Sequence, residues 1–469
     1  MMDQELQLRL AALEAEFVAA RARWEEERAA LQAEIRMLSG EVARLESENN
    51  RLRKQLAETE RKKARQAAPF RRRPENKISE QDRKEPGRKP GHPGANRQVP
   101  ERIDQQVEVP LCGCPQCGGA LDKVRAVEQY IQELPEVQPI TTKVTTYVGQ
   151  CAQCGEVRST HPLQTSTAEG AAKVQVGPRV LAWAAEINKR LGLSMRKTCS
   201  LFEKLLGLKL TPGGLSQALD RVAQRCRGEY HRILDQVRQS PAVYADETSW
   251  WVGEAGWWLW TFTTPDATFY RVEQSRGNRI VRKTLGRDFP GILVTDCGAM
   301  YDEIKCRKHK CIAHHLQAIQ RAREMQSSRF HLYLDEWVEF FRRVIALWKE
   351  RPQLPPPEFE TRRTNLETKC DELLGRELRW PGDKKVQKRL KRKRAHLLTC
   401  LHDPHVEPTN NRAERSLRPA VIARKLSCGN RTILGKQTWE IIHTLAVTCH
   451  LKAESLIDYL APKLQLAAA

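Results

Sequence analysis

Three carboxylates far apart in the 469-residue chain occupy contexts in which they could act together. Asp246 lies in Tyr244-Ala245-Asp246-Glu247-Thr248, a segment that reads as a strand, and Asp296 follows the apolar run Ile292-Leu293-Val294. Glu414 belongs to Asn410-Asn411-Arg412-Ala413-Glu414-Arg415. Two-metal phosphoryl transfer requires acidic ligands that converge where ions about 4 Å apart can bridge a scissile phosphate, and oxygen donors of this kind suit Mg2+ or Mn2+. If the first two segments are neighbouring strands, their carboxylates meet at one sheet edge, and Glu414 is the candidate third ligand. Each residue also has a plainer reading. Asp246 and Glu247 could be an acidic pair on an edge strand, and Asp296, two residues before Gly298, a turn former. Glu414, three residues after Asn411, could close a capping box.

The 14 cysteines include two knuckles, Cys114-x-x-Cys117 and Cys151-x-x-Cys154, separated by 33 residues. Four thiolates in such pairs can close a tetrahedron around Zn2+, and Gly118 and Gly155 suit the tight turn each pair needs. The spacing predicts a structural zinc ribbon, with Cys112 as an alternative ligand. A second group, Cys306, His309, Cys311, His314 and His315, does not have the gaps of a standard knuckle and falls at a strand-to-helix junction. No metal is expected there.

The net charge of +21, from 79 basic against 58 acidic residues, calls for a polyanionic partner, and nucleic acid is the commonest. An anionic membrane surface is the rival, but no basic amphipathic helix with an aromatic apolar face is present. No apolar run approaches the roughly 18 residues needed to span a bilayer, and nothing resembles a signal peptide. An intracellular protein with reduced thiols is therefore expected.

The basic residues are clustered. Thirteen basic and four acidic residues lie between Arg61 and Arg97, where Gly87-Arg88-Lys89-Pro90 resembles arms that enter a minor groove. Arg412, Arg415 and Arg418 recur at three-residue steps around Glu414 and could meet phosphates. Residues 384–394 hold eight basic side chains in eleven, Lys391 and Arg392 among them, as a backbone-binding helix would. A solvated helix face explains the same run. Trp250, Trp251, Trp257, Trp258 and Trp260 could stack an unpaired base, although strand alternation puts some of them in a core anyway.

The elements that must position these groups follow from periodicity. Residues 1–60 carry a heptad pattern: Leu6, Leu10, Leu13, Phe17, Ala20 and Trp24, then, after a stutter at Arg28, Leu31, Ile35, Leu38, Val42, Leu45, Asn49, Leu52 and Leu56. A self-pairing coiled coil is expected, with Asn49 setting register. Residues 61–105 read as a flexible basic linker and 106–165 as the zinc ribbon. Residues 172–240 form a helical module compatible with a helix-turn-helix, its third helix capped by Thr211-Pro212. Strands are predicted at 243–252, 257–263 and 268–273, with turns at 253–256 and 265–266. Residues 292–294 form a strand buried on both faces. Helices return at 329–404 and, as an amphipathic pair, at 436–464.

The chain resembles the insertion sequence 66 family of bacterial DDE transposases in an ordered set of motifs. These are Pro86–Gly94 (PGRKPGHPG), the two knuckles, Val176-Gly177-Pro178-Arg179, Ala245-Asp246-Glu247-Thr248, Cys311-Ile312-Ala313-His314 and Asn410–Pro419 (NNRAERSLRP), with Ala423-Arg424-Lys425 soon after. The resemblance implies an α/β fold: a ribonuclease-H-like catalytic core at 241–428 with a helical insertion at 329–404. A coiled coil, a zinc ribbon and a helical module precede it, and C-terminal helices at 429–469 follow it. It gives Asp246, Asp296 and Glu414 the three acidic positions and a bacterial, cytoplasmic, nucleoid-associated setting. It also implies double-stranded DNA as partner and a homo-oligomer formed through the coiled coil. Thr409 replaces the family's aspartate before the double asparagine, and Ile312 stands where tryptophan usually follows the cysteine; neither is a proposed ligand. A catalytically inactive zinc-containing DNA-binding regulator is the alternative, and a structural coiled-coil adaptor a third.

Overall fold

The computed structural model describes residues 2–65, 97–135, 137–167, 174–325 and 331–467. They fall into two units, residues 1–97 and 98–469. The basic arm with Arg88 and Lys89 lies outside the described residues.

The first unit is one helix, α1 (Met2–Arg65). Its heptad side chains from Phe17 onward, including Trp24, Leu31, Ile35, Leu38, Val42, Leu45, Leu52 and Leu56, are exposed in the single chain. Leu6, Leu10 and Leu13 fall among side chains outside the description.

In the second unit, Cys151 and Cys154 sit on a small hairpin of β1 (Val148–Cys151) and β2 (Gly155–Arg158). Both knuckle glycines take positive φ, 75° at Gly118 and 74° at Gly155, as the tight turns require.

Four helices follow: α2 (Pro178–Ala185), α3 (Met195–Leu206), α4 (Pro212–Arg225) and α5 (Arg227–Arg238). α2 runs on into a π-helical turn at Glu186–Arg190. Thr211 caps α4 as its sequence predicts, its hydroxyl accepting from the Gly214 amide at 3.1 Å.

The central sheet is built from β3 (Ala242–Val252), β4 (Glu254–Thr263), β5 (Thr268–Glu273), β6 (Asp288–Thr295) and β7 (Lys305–Lys310). Helix α6 (Asn278–Leu285) lies between β5 and β6 in the chain. The spatial order is β5-β4-β3-β6-β7, with β3-β4-β5 antiparallel and β6 and β7 parallel to β3. The first turn is tighter than its sequence suggests. Gly253 alone, at φ 68°, separates β3 from β4, and the pairing shifts register between Trp250 and Val252. β3 is thus central, which removes the edge-strand reading of Asp246 and Glu247.

Beyond β7 come α7 (Ile312–Met325), α8 (Leu332–Glu350), α9 (Pro356–Gly375), α10 (Pro381–Lys391), α11 (Thr399–His402), α12 (Asn411–Ser427), α13 (Ile433–Leu451) and α14 (Leu456–Lys463). Alternation on the strands divides the core between the two faces. Val243, Ala245 and Leu293 pack with α2–α6, α13 and α14. Ala242, Tyr244, Ile292 and Val294 face the other way, onto α7–α11, where Trp337 and Phe341 are fully buried. The helices at 172–240 therefore share one continuous core with the sheet. Trp260 is buried in it, Trp250 is buried in a separate cluster with Tyr270, Leu417 and Trp439, and Trp251 is exposed.

Gly291 gives a direct test of how closely β6 is packed: a Cβ there would lie 2.5 Å from the Ser240 carbonyl oxygen and 2.6 Å from the Phe289 ring. Gly291→Ala should destabilise the fold by about 1–3 kcal/mol, the usual range for overpacking, measured by denaturant unfolding; an unchanged midpoint would refute this packing.

Candidate active site

Parallel pairing brings the two aspartates to one place. Tyr244 is paired with Val294, and Asp246 and Asp296 each lie two residues further along. They therefore lie on the same face just past the point where the parallel pairing of β3 with β6 ends, Asp246 inside β3 and Asp296 at the carboxyl end of β6. Asp246 is still within β3; Asp296 has just left β6 and uses one oxygen to accept from the Gly298 amide at 2.8 Å. Its turn-forming role is real and leaves the other oxygen available.

Glu414 arrives on the first turn of α12, which packs across β3 and β4. Buried Asn410 ties down the start of this helix: its side-chain amide donates to the Ala245 carbonyl at 2.9 Å, and its backbone N–H donates to Cys311 Sγ at 3.1 Å. Ser416 hydrogen-bonds Thr261 at 2.9 Å, and Arg424 reaches Thr248 at 3.2 Å. No capping box forms. The residue at the cap is Asn410, without a side-chain cap bond, so the Glu414 carboxylate is not spent on the helix start.

The electrostatics are unfavourable by design of the strands. Burial first, then the charge of Glu247, then Asp296 and Glu414, push the Asp246 carboxyl up to about 8, against a partial offset from the Glu247 amide. Among the described residues, none of the three carboxylates makes an ion pair. Glu247, next in sequence, contrasts with them: on the opposite face it is bound by Arg276 at 2.9 Å and by the Tyr301 hydroxyl. The three carboxylates offer only oxygen donors and lack a protein cation, a set that suits a hard divalent ion. Their oxygens do not all lie within 4.8 Å of one another, so they do not form a single-ion cage.

The basic candidates separate into two kinds. Arg412 is held internally, paired with Glu407 at 2.5 Å and stacked over Tyr244, so it braces the fold and does not await phosphate. Arg415 and Arg418 are exposed beside Glu414. At and just past the end of α10, Lys391 and Arg392 are exposed, whereas Lys393 and Arg394 pair with Asp302 and Asp371.

In the knuckles, backbone N–H groups of the following residues hold the Cys114 and Cys151 thiols below the ordinary range. Among the described residues, no three of these cysteines bring their sulfurs within 4.8 Å of one another. The group expected to be inert behaves differently. His309 donates to the Pro408 carbonyl at 3.1 Å, and His315 stacks on Phe341. Cys311 and His314, however, bring a sulfur and a ring nitrogen within 4.8 Å of a Glu414 oxygen and of each other. Spacing could not reveal this, because the third member lies 100 residues further on.

A buried, unpaired carboxylate makes stability depend on pH. At low pH Asp246 is protonated whether the chain is folded or not; as pH rises from the ordinary carboxylate range to about 8 the unfolded chain ionises while the folded chain holds its proton, so stability falls across that window and the loss is complete above it. Asp246→Asn should therefore raise the melting temperature of metal-free protein at about pH 9 and leave it unchanged near pH 3. Mg2+ or Mn2+ should produce a similar rise in the wild type and a smaller one in the variant. Equal melting temperatures at the higher pH would refute the burial of this charge.

A sequence model described as "Transposase IS66 family" matches residues 173–438, more than half of the chain, a span that includes Asp246, Asp296 and Glu414. The chain is also similar to the uncharacterized protein y4qI of Sinorhizobium fredii (strain NBRC 101917 / NGR234), 23% identical over 319 residues. That alignment covers 61% of this chain and 58% of the relative, so the chain spans less than two thirds of the relative's length. No described helix is long and apolar enough to cross a membrane. With the central sheet and all three carboxylates inside the matched span, the chain belongs to the IS66 transposase family.

Proposed function

We propose that this chain cleaves DNA at the ends of an insertion sequence and joins the freed 3′-hydroxyl to a target, with Asp246, Asp296 and Glu414 as the metal-binding carboxylates. The observation that carries this reading is the convergence of Asp246 and Asp296 just beyond the parallel pairing of β3 and β6, with Glu414 acting electrostatically on the same point and no cation pairing any of them. The strand order, an antiparallel three-strand meander extended by two parallel strands, supports a ribonuclease-H-like core, and α8–α11 form the helical insertion.

Bound Mg2+ or Mn2+ would supply an activated water or 3′-hydroxyl and stabilise the leaving oxygen. The chain's own contribution is positional. β3 and β6 fix the two aspartates, Asn410 sets the height of Glu414, and Arg415 and Arg418 face the phosphates beside it. Lys391 and Arg392 at the end of α10 contact the DNA backbone, and Arg88 and Lys89 of the basic arm also bind DNA. The knuckles bind a structural Zn2+ through Cys114, Cys117, Cys151 and Cys154, and the exposed heptad stripe of α1 pairs with a second copy.

The test is incubation of the purified chain with DNA carrying its element's ends and Mg2+ or Mn2+. Cleavage should occur and should fall to background in Asp246→Asn, Asp296→Asn and Glu414→Gln while DNA binding persists. Tight binding without cutting by the wild type would instead identify a regulator. For the DNA path, Lys391→Ala with Arg392→Ala should lower the slope of log affinity against log salt by about two, roughly one per lost phosphate contact; an unchanged slope would place the DNA elsewhere.

A further inference from the structure

Cys311 immediately precedes α7, and His314 is three residues on, so both project from the same side of the helix's first turn. Glu414, on the first turn of α12, meets them there. The Cys311 sulfur, a His314 ring nitrogen and a Glu414 oxygen all lie within 4.8 Å of one another, an arrangement no other three His, Cys, Asp or Glu side chains achieve among the described residues. We propose that these three side chains form a second metal site, for a thiophilic divalent cation such as Zn2+, which shares Glu414 with the carboxylate triad.

Three observations support this. The donor set is one sulfur, one imidazole nitrogen and one carboxylate oxygen, a combination that zinc accepts with a position left open and that Mg2+ does not favour. His314 Nδ1 is buried and has no hydrogen-bond partner, which is costly unless a ligand takes it up. The Cys311 side chain is fully buried, so its sulfur is shielded from bulk solvent, and the Asn410 backbone N–H donating to it at 3.1 Å fixes its position.

The site itself does not depend on the DNA-cleavage reading; its consequence does. A thiophilic ion held here engages Glu414 through one oxygen and draws it from the hard-ion position, so Zn2+ acts as an inhibitor of the Mg2+-supported reaction.

Co2+ serves as the probe with the full-length chain, because thiolate coordination gives it an intense near-ultraviolet band. Cys311→Ser and His314→Ala are compared with the wild type, the knuckle cysteines being intact in all three. The expected result is one bound Co2+ fewer per chain in Cys311→Ser, with part of the thiolate band lost, and Co2+ affinity at this site weakened about tenfold or more in His314→Ala. Circular dichroism and melting temperature check that the variants fold, and His314, being partly exposed, carries the test if Cys311→Ser does not. Unchanged Co2+ stoichiometry and spectrum in a folded variant would overturn the site. In the second arm, Zn2+ should suppress Mg2+-supported cleavage by the wild type more strongly than by His314→Ala. Equal suppression would overturn the sharing of Glu414. Absence of cleavage under every condition would count against the DNA-cleavage reading while leaving the cobalt result to decide the site.

Discussion

Placing two aspartates side by side on β3 and at the end of β6 opposes folding, and much of the architecture is organised around that fact. Parallel pairing sets their positions through backbone hydrogen bonds, which no change of side-chain rotamer can relax. Like charges so placed repel, and burial removes the water that would screen them. The cost is borne by the two faces of the sheet. One is packed by α2–α6, α13 and α14 and the other by α7–α11, with large aromatic side chains enclosed on both. Asn410 then anchors α12 to β3 and to the start of α7 at once, so that the third carboxylate is positioned by a buried amide and not by a flexible loop.

Glu247 shows how finely the strand distinguishes neighbours. It is adjacent to Asp246, but alternation turns it to the other face, where Arg276 and Tyr301 satisfy it. One carboxylate is thus a structural ion-pair member and the next is left unpaired, with no difference in residue class that would announce it.

Much of this was legible in the chain. The three strands, the buried run before Asp296, the Thr211 cap and the glycines of the knuckles all rest on local rules of periodicity and turn chemistry, and local rules suffice for them. The pairing of Asp246 with Asp296 was also foreseeable, because a buried strand next to an alternating one has few places to go. What was not legible depends on tertiary contact. The basic run around Glu414 does not reveal that Arg412 is claimed by Glu407 and Tyr244 while Arg415 and Arg418 remain exposed. The knuckle rule, being a rule about short spacings, passed over Cys311 and His314, whose partner lies on a helix 100 residues away. The tight Gly253 turn was masked by the tryptophans that follow it.

The long excursion through α8–α11 has a temporal consequence. During synthesis the first two aspartates emerge more than a hundred residues before Glu414, and the meander β3-β4-β5, made of local pairings, can form early. The acidic cluster is completed only after residues 411–427 have been made and have docked across β3 and β4. Until that docking, the emerging chain holds two aspartates without their third carboxylate, and the order of synthesis itself sets when the centre is complete.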